Sequence, residues 1–291
     1  MSDSPRWAVE GRDWPNAEHS QFIDTGRVRW HVQKMGSGPT MLLLHGTGAA
    51  THSWRGLAPL LAEHFTVIAP DLPGHGFTKG RPLGGMTMVA MARALAELQV
   101  ALRASYGIIV GHSAGAAIAA RMTLDGLAEP RAIVGLDAAL LPFPGLAAKL
   151  FPAMAKLLFI NPLAPRIFAG LARSNVETAR FLKRSTGSQI DGAGIAQYQR
   201  LLSTTGHVAG ALTMMADWDL ATLQRDLPRL QTPLLLLHGA DDAAIPLTSA
   251  QRAADLVADG RVIPLAGLGH LAHEERPAEV AAIIRQFAEE Q

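Results

Sequence analysis

The chain of 291 residues contains no cysteine. This absence excludes disulfide bonds, thiolate metal sites and cysteine nucleophiles. An excess of one charge is also missing, because 26 lysines and arginines face 25 aspartates and glutamates, for a net charge of +1. The balance argues against a nucleic-acid-binding stripe and against an acidic tail.

Long apolar runs are absent as well. No stretch reaches the roughly 18 uninterrupted apolar residues that a transmembrane helix needs, and residues 1–7 lack the apolar run of a signal peptide. We therefore expect a cytoplasmic protein with no transmembrane segment. The chain also lacks a G-x-x-x-x-G-K-[ST] loop, a His-Glu-x-x-His helix and, near residues 111–115, a G-x-G-x-x-G fingerprint. We accordingly expect no cofactor and no metal.

The residues that are present favour one large α/β domain with an insertion. Hydrophobic residues make up 48% of the chain, which is enough for a sizeable core. Apolar strand patterns such as 41–44 and 234–237 alternate with helical ones, which predicts a mostly parallel, doubly wound sheet. Between about 140 and 215 no clear parallel strand occurs. We predict a core over 1–139 and 216–291 and a helical cap over 140–215; the alternative is surface helices that complete the core.

Residues 111–115 read Gly-His-Ser-Ala-Gly and stand between an apolar strand pattern at 106–110 and a helical one at 116–122. A serine between two glycines at a strand-to-helix turn is typical of a nucleophile elbow. Gly111 and Gly115 remove side chains that would clash in so tight a turn. Ser113 is therefore the candidate nucleophile; the alternative is an ordinary glycine-rich loop.

A base and an acid follow in the order that a Ser-Asp-His triad of this kind requires. His270 comes just after the strand pattern 261–265 and is the candidate base, with His273 as a fallback one helical turn away. Asp242 follows another apolar strand and is the candidate acid that would orient the imidazole. Asp137, at the end of the preceding strand, remains an alternative.

Two backbone N–H groups are expected to form an oxyanion hole. One belongs to Ala114, directly after the nucleophile. The other lies in the loop 45–48, where Thr47 is the first candidate and Gly48 the second. The alternative reading of this loop is a plain glycine turn. His45 and His112 are expected to orient these loops by hydrogen bonding.

The predicted cap is rich in apolar side chains, with helical patterns over 151–160, 162–171, 177–183 and 195–203. A surface this apolar favours a binding pocket between cap and sheet, with Ser113 at its floor. A flat macrocyclic or long-chain apolar substrate would suit such a pocket. The candidate lining residues are Gly46, His112, Leu140, Met154, Leu158 and Trp218.

From residue 41 to the end, the chain resembles the α/β-hydrolases. Longer strings at 29–33, 45–55, 71–78, 206–212 and 267–275 extend this resemblance to the magnesium-chelatase accessory (30 kDa subunit) proteins of bacteriochlorophyll biosynthesis. The resemblance implies a role in photosynthesis near magnesium insertion into protoporphyrin. It also implies magnesium-chelatase subunits as partners and a tetrapyrrole as a small apolar substrate. Asp137 departs from this pattern, which has a neutral residue there.

Three functions are compatible with these features. The first is a serine hydrolase acting on an ester or related acyl bond. The second is a non-catalytic accessory protein that binds a tetrapyrrole. The third is another reaction of the fold, such as carbon–carbon bond hydrolysis or a peroxidase-like side activity. A protein that had lost catalysis would be expected to lose Ser113 or His270, and both are present, which favours the first.

Overall fold

A computed structural model describes residues 4–142, 165, 169–170 and 174–291, and places nine strands of this part in one sheet. The strands, in chain order, are β1 Ser20–Asp24, β2 Val28–Met35, β3 Thr40–Leu44, β4 Thr66–Pro70, β5 Lys79–Gly80, β6 Ile108–His112, β7 Ala132–Leu136, β8 Leu234–Gly239 and β9 Gly260–Leu265. The sheet order is β1-β2-β4-β3-β6-β7-β8-β9, and β5 pairs with β2.

Most of the sheet is parallel. Strand β3 pairs in parallel with β4 and β6, and the pairs β6–β7, β7–β8 and β8–β9 are parallel as well. Strand β2 runs antiparallel to its three neighbours β1, β4 and β5. The predicted α/β fold with a mostly parallel sheet is confirmed. Since parallel strands end at the same edge, the loops after β3, β6, β7, β8 and β9 meet there.

Helices cover both faces of the sheet. In chain order they are α1 Trp7–Glu10, α2 Leu57–Ala62, α3 Met88–Leu102, α4 Ala114–Leu124, α5 Asn175–Thr186, α6 Gly192–Leu202, α7 Thr205–Ala216, α8 Leu220–Asp226, α9 Leu247–Ala254, α10 Ala272–Glu275 and α11 Pro277–Glu289. Short 3-10 helices span Ala17–His19, Thr51–Trp54 and Leu227–Arg229.

The alternation of side chains along each strand builds two apolar clusters. Leu42 and Leu44 of β3 belong to the cluster that includes α3 and α4, whereas Met41 and Leu43 belong to the cluster on the other face, with α2 and α11. All four side chains are fully buried. A strand buried on both faces has no polar side to display, which explains its continuous apolar sequence.

The N-terminal segment contributes a strand and a buried aromatic side chain to the fold. Strand β1 pairs antiparallel with β2 and extends the sheet by one edge strand. Trp14 is buried among Ala50, Phe77 and Leu201, and its indole N–H donates to Thr51 Oγ1 at 2.9 Å. The segment is therefore integrated into the body of the fold.

The insertion between β7 and β8 is helical over α5, α6 and α7. The helix expected at 151–160 and most residues of the one expected at 162–171 lie outside the described residues, so the cap and its boundaries at 140 and 215 stay a prediction. None of the helices in the described part of the chain is long and apolar enough to cross a lipid bilayer.

Candidate active site

The turn between β6 and α4 holds Ser113 in a strained conformation, with φ of 51° and ψ of −114°. A Cβ atom at Gly111 would lie 2.3 Å from the backbone nitrogen of Ala116, and one at Gly115 would lie 2.0 Å from the carbonyl oxygen of Leu44. Both positions therefore exclude any side chain. The half-buried Ser113 stands at the carboxyl edge of the sheet, as its motif predicts.

His270 and Asp242 come together from two separate loops. His270 Nδ1 lies 2.7 Å from Asp242 Oδ2. The other carboxylate oxygen of Asp242 accepts the backbone N–H groups of Ala244 at 2.7 Å and Ile245 at 2.9 Å. These bonds hold the carboxylate so that Oδ2 faces the imidazole. Since a carboxylate only accepts, Nδ1 of His270 carries the hydrogen and Nε2 is left free to accept a proton.

Asp137, the alternative acid, has a different environment. It lies directly after β7, is fully buried, and has a positive φ of 46°. Its Oδ1 accepts the backbone N–H of Gly239 at 2.7 Å, while Oδ2 is without a hydrogen-bond partner in the described part of the chain. Burial raises the pKa of Asp137 well above its usual value, and the nearby charge of Asp242 raises it further. A carboxyl group whose pKa is raised holds its proton more strongly, so Asp137 is the poorer source of the negative charge that stabilises an imidazolium.

His238, which no motif in the sequence singles out, lies directly behind the candidate acid. Its Nε2 donates to the carbonyl oxygen of Ile245 at 2.9 Å and is 3.6 Å from Asp242 Oδ2. Its Nδ1 is 3.9 Å from Asp137 Oδ1. Burial lowers the pKa of His238. The ring thus packs between the two carboxyl groups as a neutral partner.

The loop after β3 packs directly on the elbow. A Cβ atom at Gly46 would lie 2.7 Å from His112 Nδ1 and 3.1 Å from Ser113 Cβ, so only glycine allows this approach. His45 fixes the loop, because its Nδ1 donates to Gly46 O at 2.8 Å and its Nε2 accepts the backbone N–H of Leu72 at 2.9 Å. Burial lowers the pKa of His45, which matches this neutral tautomer.

The two candidate oxyanion donors, the N–H groups of Thr47 and Ala114, directly follow Gly46 and Ser113, the residues at which the β3 loop packs on the elbow. Ala114 is the first residue of α4, and the first N–H groups of a helix have no acceptor within it. Thr47 is half-buried, and its hydroxyl donates to the sulfur of Met214 in α7 at 3.6 Å. His207, also in α7, contacts Gly48 O through Nε2 at 3.0 Å. Helix α7 therefore lies against the loop that carries Thr47.

His112 forms a hydrogen bond with the backbone of His270, the candidate base. Its Nε2 donates to the carbonyl oxygen of His270 at 2.9 Å, and the two rings are 4.9 Å apart. Burial, followed by the neighbouring rings of His273 and His270, lowers the pKa of His112 well below its usual value. His273, the fallback base, is fully buried against Trp54, and burial lowers its pKa to about 3. The structure brings His270, and not His273, to Asp242.

The remaining pocket candidates divide into two groups. Leu140 is buried in the same apolar cluster as α4, and Trp218 is half-buried against that cluster. The backbone N–H of Ala139 donates to Ser113 O at 3.1 Å. Leu140 therefore directly follows a residue that is bonded to the elbow. Met154 and Leu158 lie outside the described residues. A shared pocket for these side chains stays a prediction.

Known proteins resemble this chain in sequence and in fold. The model of the alpha/beta hydrolase family matches residues 41–283. The magnesium-chelatase 30 kDa subunit of Rhodobacter capsulatus is 37% identical over 284 residues, which cover 95% of this chain and 97% of the relative. The pimeloyl-(acyl-carrier protein) methyl ester esterase of Aromatoleum aromaticum is 29% identical over 84% of this chain and 96% of its own.

The crystal structure of the candidate lipase lip1 from Acinetobacter baumannii AYE superposes with a TM-score of 0.78. It covers 97% of this chain and 94% of its own, at 20% identity. At that identity the likeness concerns the fold alone. The fold and the family agree across nearly the whole chain.

Proposed function

Because the chain belongs to the alpha/beta hydrolase family, we propose that it is a serine hydrolase that cleaves an ester or related acyl bond. The observation that carries the proposal is the 2.7 Å contact between His270 Nδ1 and Asp242 Oδ2, formed at the sheet edge where Ser113 stands. An imidazole held by a carboxylate is the base that a serine hydroxyl needs, since the hydroxyl is a weak nucleophile on its own.

In the acylation step, Ser113 Oγ attacks the carbonyl carbon of the substrate while His270 Nε2 takes the hydroxyl proton. Asp242 stabilises the imidazolium that forms. The carbonyl oxygen becomes an oxyanion, for which the N–H groups of Thr47 and Ala114 are the proposed donors. When this intermediate collapses, the bond to the alcohol breaks, His270 returns its proton to the leaving oxygen, and the acyl group stays on Ser113.

Deacylation repeats the chemistry with water. His270 Nε2 takes a proton from a water molecule, whose oxygen attacks the acyl carbon. The same two N–H groups would hold the second oxyanion. Collapse of the intermediate breaks the bond to Ser113 Oγ, which regains its proton from His270 and releases the acid.

A second proposal concerns the biological setting. Similarity to a magnesium-chelatase 30 kDa subunit extends over 95% of this chain, and therefore includes the insertion as well as the sheet. We propose that the chain serves bacteriochlorophyll biosynthesis beside magnesium chelatase, with an apolar tetrapyrrole as its ligand. A tetrapyrrole that carries an ester group would satisfy both proposals, because it would be a tetrapyrrole ligand and a substrate for ester hydrolysis.

Covalent labelling with a fluorophosphonate probe tests the hydrolase proposal. Wild-type protein is expected to be labelled on Ser113, and the Ser113→Ala variant is expected to remain unlabelled. Ser185→Ala is the matched control, because Ser185 is exposed and its hydroxyl donates to carbonyl groups of its own helix, those of Phe181 and Leu182. No labelling of folded wild-type protein would favour a non-catalytic role. Labelling without turnover of any acyl ester would favour carbon–carbon bond hydrolysis.

Protoporphyrin binding tests the second proposal, with quenching of tryptophan fluorescence as the signal. Trp54, which packs on His273, and Trp218, which lies beside the apolar cluster that contains Leu140, are the proposed reporters. Saturable quenching that persists in Ser113→Ala would support a tetrapyrrole site. Absence of saturable binding would leave a hydrolase for small acyl substrates.

A further inference from the structure

A single carbonyl group of the insertion bridges the two loops of the candidate triad. Thr186 O, at the end of α5, accepts the backbone N–H of His270 at 2.8 Å and that of Ala243 at 3.3 Å. Ala243 directly follows Asp242. The loop of the base and the loop of the acid are therefore tied to the same atom.

The residues after Thr186 continue this contact. Ser188 is 2% exposed, and its hydroxyl oxygen accepts the backbone N–H of Leu271 at 2.8 Å. Its own N–H donates to Thr186 Oγ1 at 3.1 Å. A Cβ atom at Gly269 would lie 2.5 Å from Ser188 N. The residues on both sides of His270 are thus in contact with Ser188.

Gly187 and Glu275 complete the attachment. Gly187 has a positive φ of 75°, and a Cβ atom there would lie 2.2 Å from Asp241 O. The Glu275 carboxylate accepts the N–H of Gly269 at 2.9 Å with one oxygen and that of Gln189 at 3.1 Å with the other. This side chain therefore bridges the base loop and the insertion.

The neighbouring residue Glu274 forms a second bridge between the base loop and the insertion. Glu274 accepts the Tyr198 hydroxyl of α6 at 2.7 Å and forms an ion pair with Arg55. Arg55 also pairs with Asp191, the N-cap of α6, at 2.9 Å. The short helix that follows His270 is thereby held against the insertion at two places.

From these contacts we propose that residues 186–189 position the catalytic base: the insertion sets the distance between His270 and Asp242, with Ser188 and Glu275 as positioning residues. This rests on the proposed function, since it assigns a task within the same triad. Loops are less precise supports than strands, and catalytic groups must be held within about 0.5 Å of their productive geometry. The 186–189 segment supplies that support from outside the sheet. The insertion would then be part of the catalytic apparatus as well as a covering element.

The test removes the hydroxyl of Ser188. In Ser188→Ala the buried N–H of Leu271 loses its acceptor, so the loop that carries His270 is expected to shift. Because misplacement of a catalytic group by about 1 Å can cost about 100-fold, we expect kcat to fall by about 10- to 100-fold with KM changed by less than about two-fold. Ser188→Thr, which keeps the hydroxyl, is expected to recover most of the rate. Ser185→Ala, three residues away and exposed, is the matched control.

Glu275 gives an independent variant should Ser188→Ala fail to fold. Glu275→Gln keeps one oxygen acceptor for two N–H groups and is expected to lower kcat less than Glu275→Ala. A fall in melting temperature with kcat unchanged at 25 °C in both series would overturn the proposal. The pH profile of kcat/KM distinguishes a positioning role from a purely structural one. Displacement of His270 from Asp242 would shift the pH at which kcat/KM is half-maximal, whereas a purely structural defect would not.

A measurement without turnover separates this proposal from the hydrolase proposal. The Nδ1–H proton of His270, bonded to Asp242, should give a low-field NMR signal in wild-type protein that Asp242→Asn moves. We expect Ser188→Ala to speed its exchange with water or to shift it. An unmoved signal would refute the positioning role even if Ser113 is labelled. A moved signal in a protein whose Ser113 is not labelled would uphold the positioning role and refute the hydrolase.

Discussion

His270 Nδ1 and Asp242 Oδ2 are 2.7 Å apart, while Asp137 is buried behind them with a hydrogen bond to Gly239. The two carboxyl groups lie on either side of the His238 ring, 3.6 Å and 3.9 Å from its nitrogens, and their surroundings separate their roles. Asp242 has two backbone N–H donors on its other oxygen. Asp137 has one donor and an oxygen without a hydrogen-bond partner among the described residues.

The first prediction compares the two acids by the same substitution. Asp242→Asn is expected to lower kcat by about 10⁴-fold, because an amide neither fixes the imidazole tautomer nor stabilises the imidazolium. Asp137→Asn is expected to leave kcat within a few-fold of wild type, since an amide closely resembles the neutral carboxyl group and asparagine tolerates positive φ. Hydrolysis of a short acyl ester measures both. A large loss of kcat in Asp137→Asn with little loss in Asp242→Asn would reverse the assignment of the acid.

The second prediction concerns stability and follows from the raised pKa of Asp137. Above about pH 3.8 the unfolded chain releases the Asp137 proton while the folded chain retains it. The free energy of unfolding therefore falls as pH rises, by up to about 1.4 kcal/mol per pH unit, until the folded pKa is passed. Asp137→Asn removes this loss, so its stability relative to wild type should increase with pH.

Urea unfolding at pH 4.5, 6 and 8 measures this difference. The exposed neighbour Asp241, replaced in Asp241→Asn, is the matched control. A difference between Asp137→Asn and wild type that stays constant with pH would contradict the prediction.

The sequence predicts the sheet well where its strands are buried on both faces. The runs in β3 and β8 are continuously apolar, and the motif residues follow directly at the strand ends. Strand β1 is half-exposed, and its five residues, Ser-Gln-Phe-Ile-Asp, do not alternate polar with apolar side chains, so local sequence does not distinguish it from an irregular segment. Its pairing with β2 depends on a partner that local sequence does not reveal.

The candidate site is predictable only in part for the same reason. Ser113, Asp242 and His270 stand in motifs whose spacing reflects a turn geometry. His238 stands within the apolar pattern of β8, and its position between two carboxyl groups arises only when β7 and β8 pair. The 186–189 segment acts mainly through the carbonyl of Thr186, a group that every residue has. No residue pattern could have indicated that contact.

The third prediction tests the steric requirement of the elbow. Gly115→Ala would place a methyl group 2.0 Å from Leu44 O and 2.9 Å from His45 O, both backbone atoms that cannot rotate away. We expect a loss of about 1–3 kcal/mol in stability and loss of fluorophosphonate labelling, because Ser113 is displaced. Gly192→Ala, at the start of α6, meets no atom within 4 Å. It should keep full labelling and gain up to about 1 kcal/mol. Normal labelling of Gly115→Ala would contradict the prediction, because it would show that the turn accommodates a methyl group at position 115.

The fourth prediction concerns acid sensitivity, which the buried histidines cause. Burial lowers the pKa of His207 to about 4 and that of His273 to about 3, and it lowers the pKa values of His52, His75 and His112 well below the usual 6.5. As pH falls below about 6.5, the unfolded chain binds protons at these rings and the folded chain does not. The stabilisation is thus present above pH 6.5 and is lost on acidification, by up to about 1.4 kcal/mol per pH unit for each such ring.

His52→Phe isolates one of these rings. His52 is fully buried against Trp14 and Tyr198, and neither of its ring nitrogens has a hydrogen-bond partner in the part of the chain that the structure describes. An apolar ring of similar size keeps those contacts and binds no proton in the unfolded state. The variant should therefore be more stable than wild type at pH 5, by a margin that shrinks toward pH 7.5. Urea midpoints at the two pH values measure that margin. If it is equal at both, His52 is protonated to the same extent in the folded and unfolded chains, and the acid sensitivity must come from other groups.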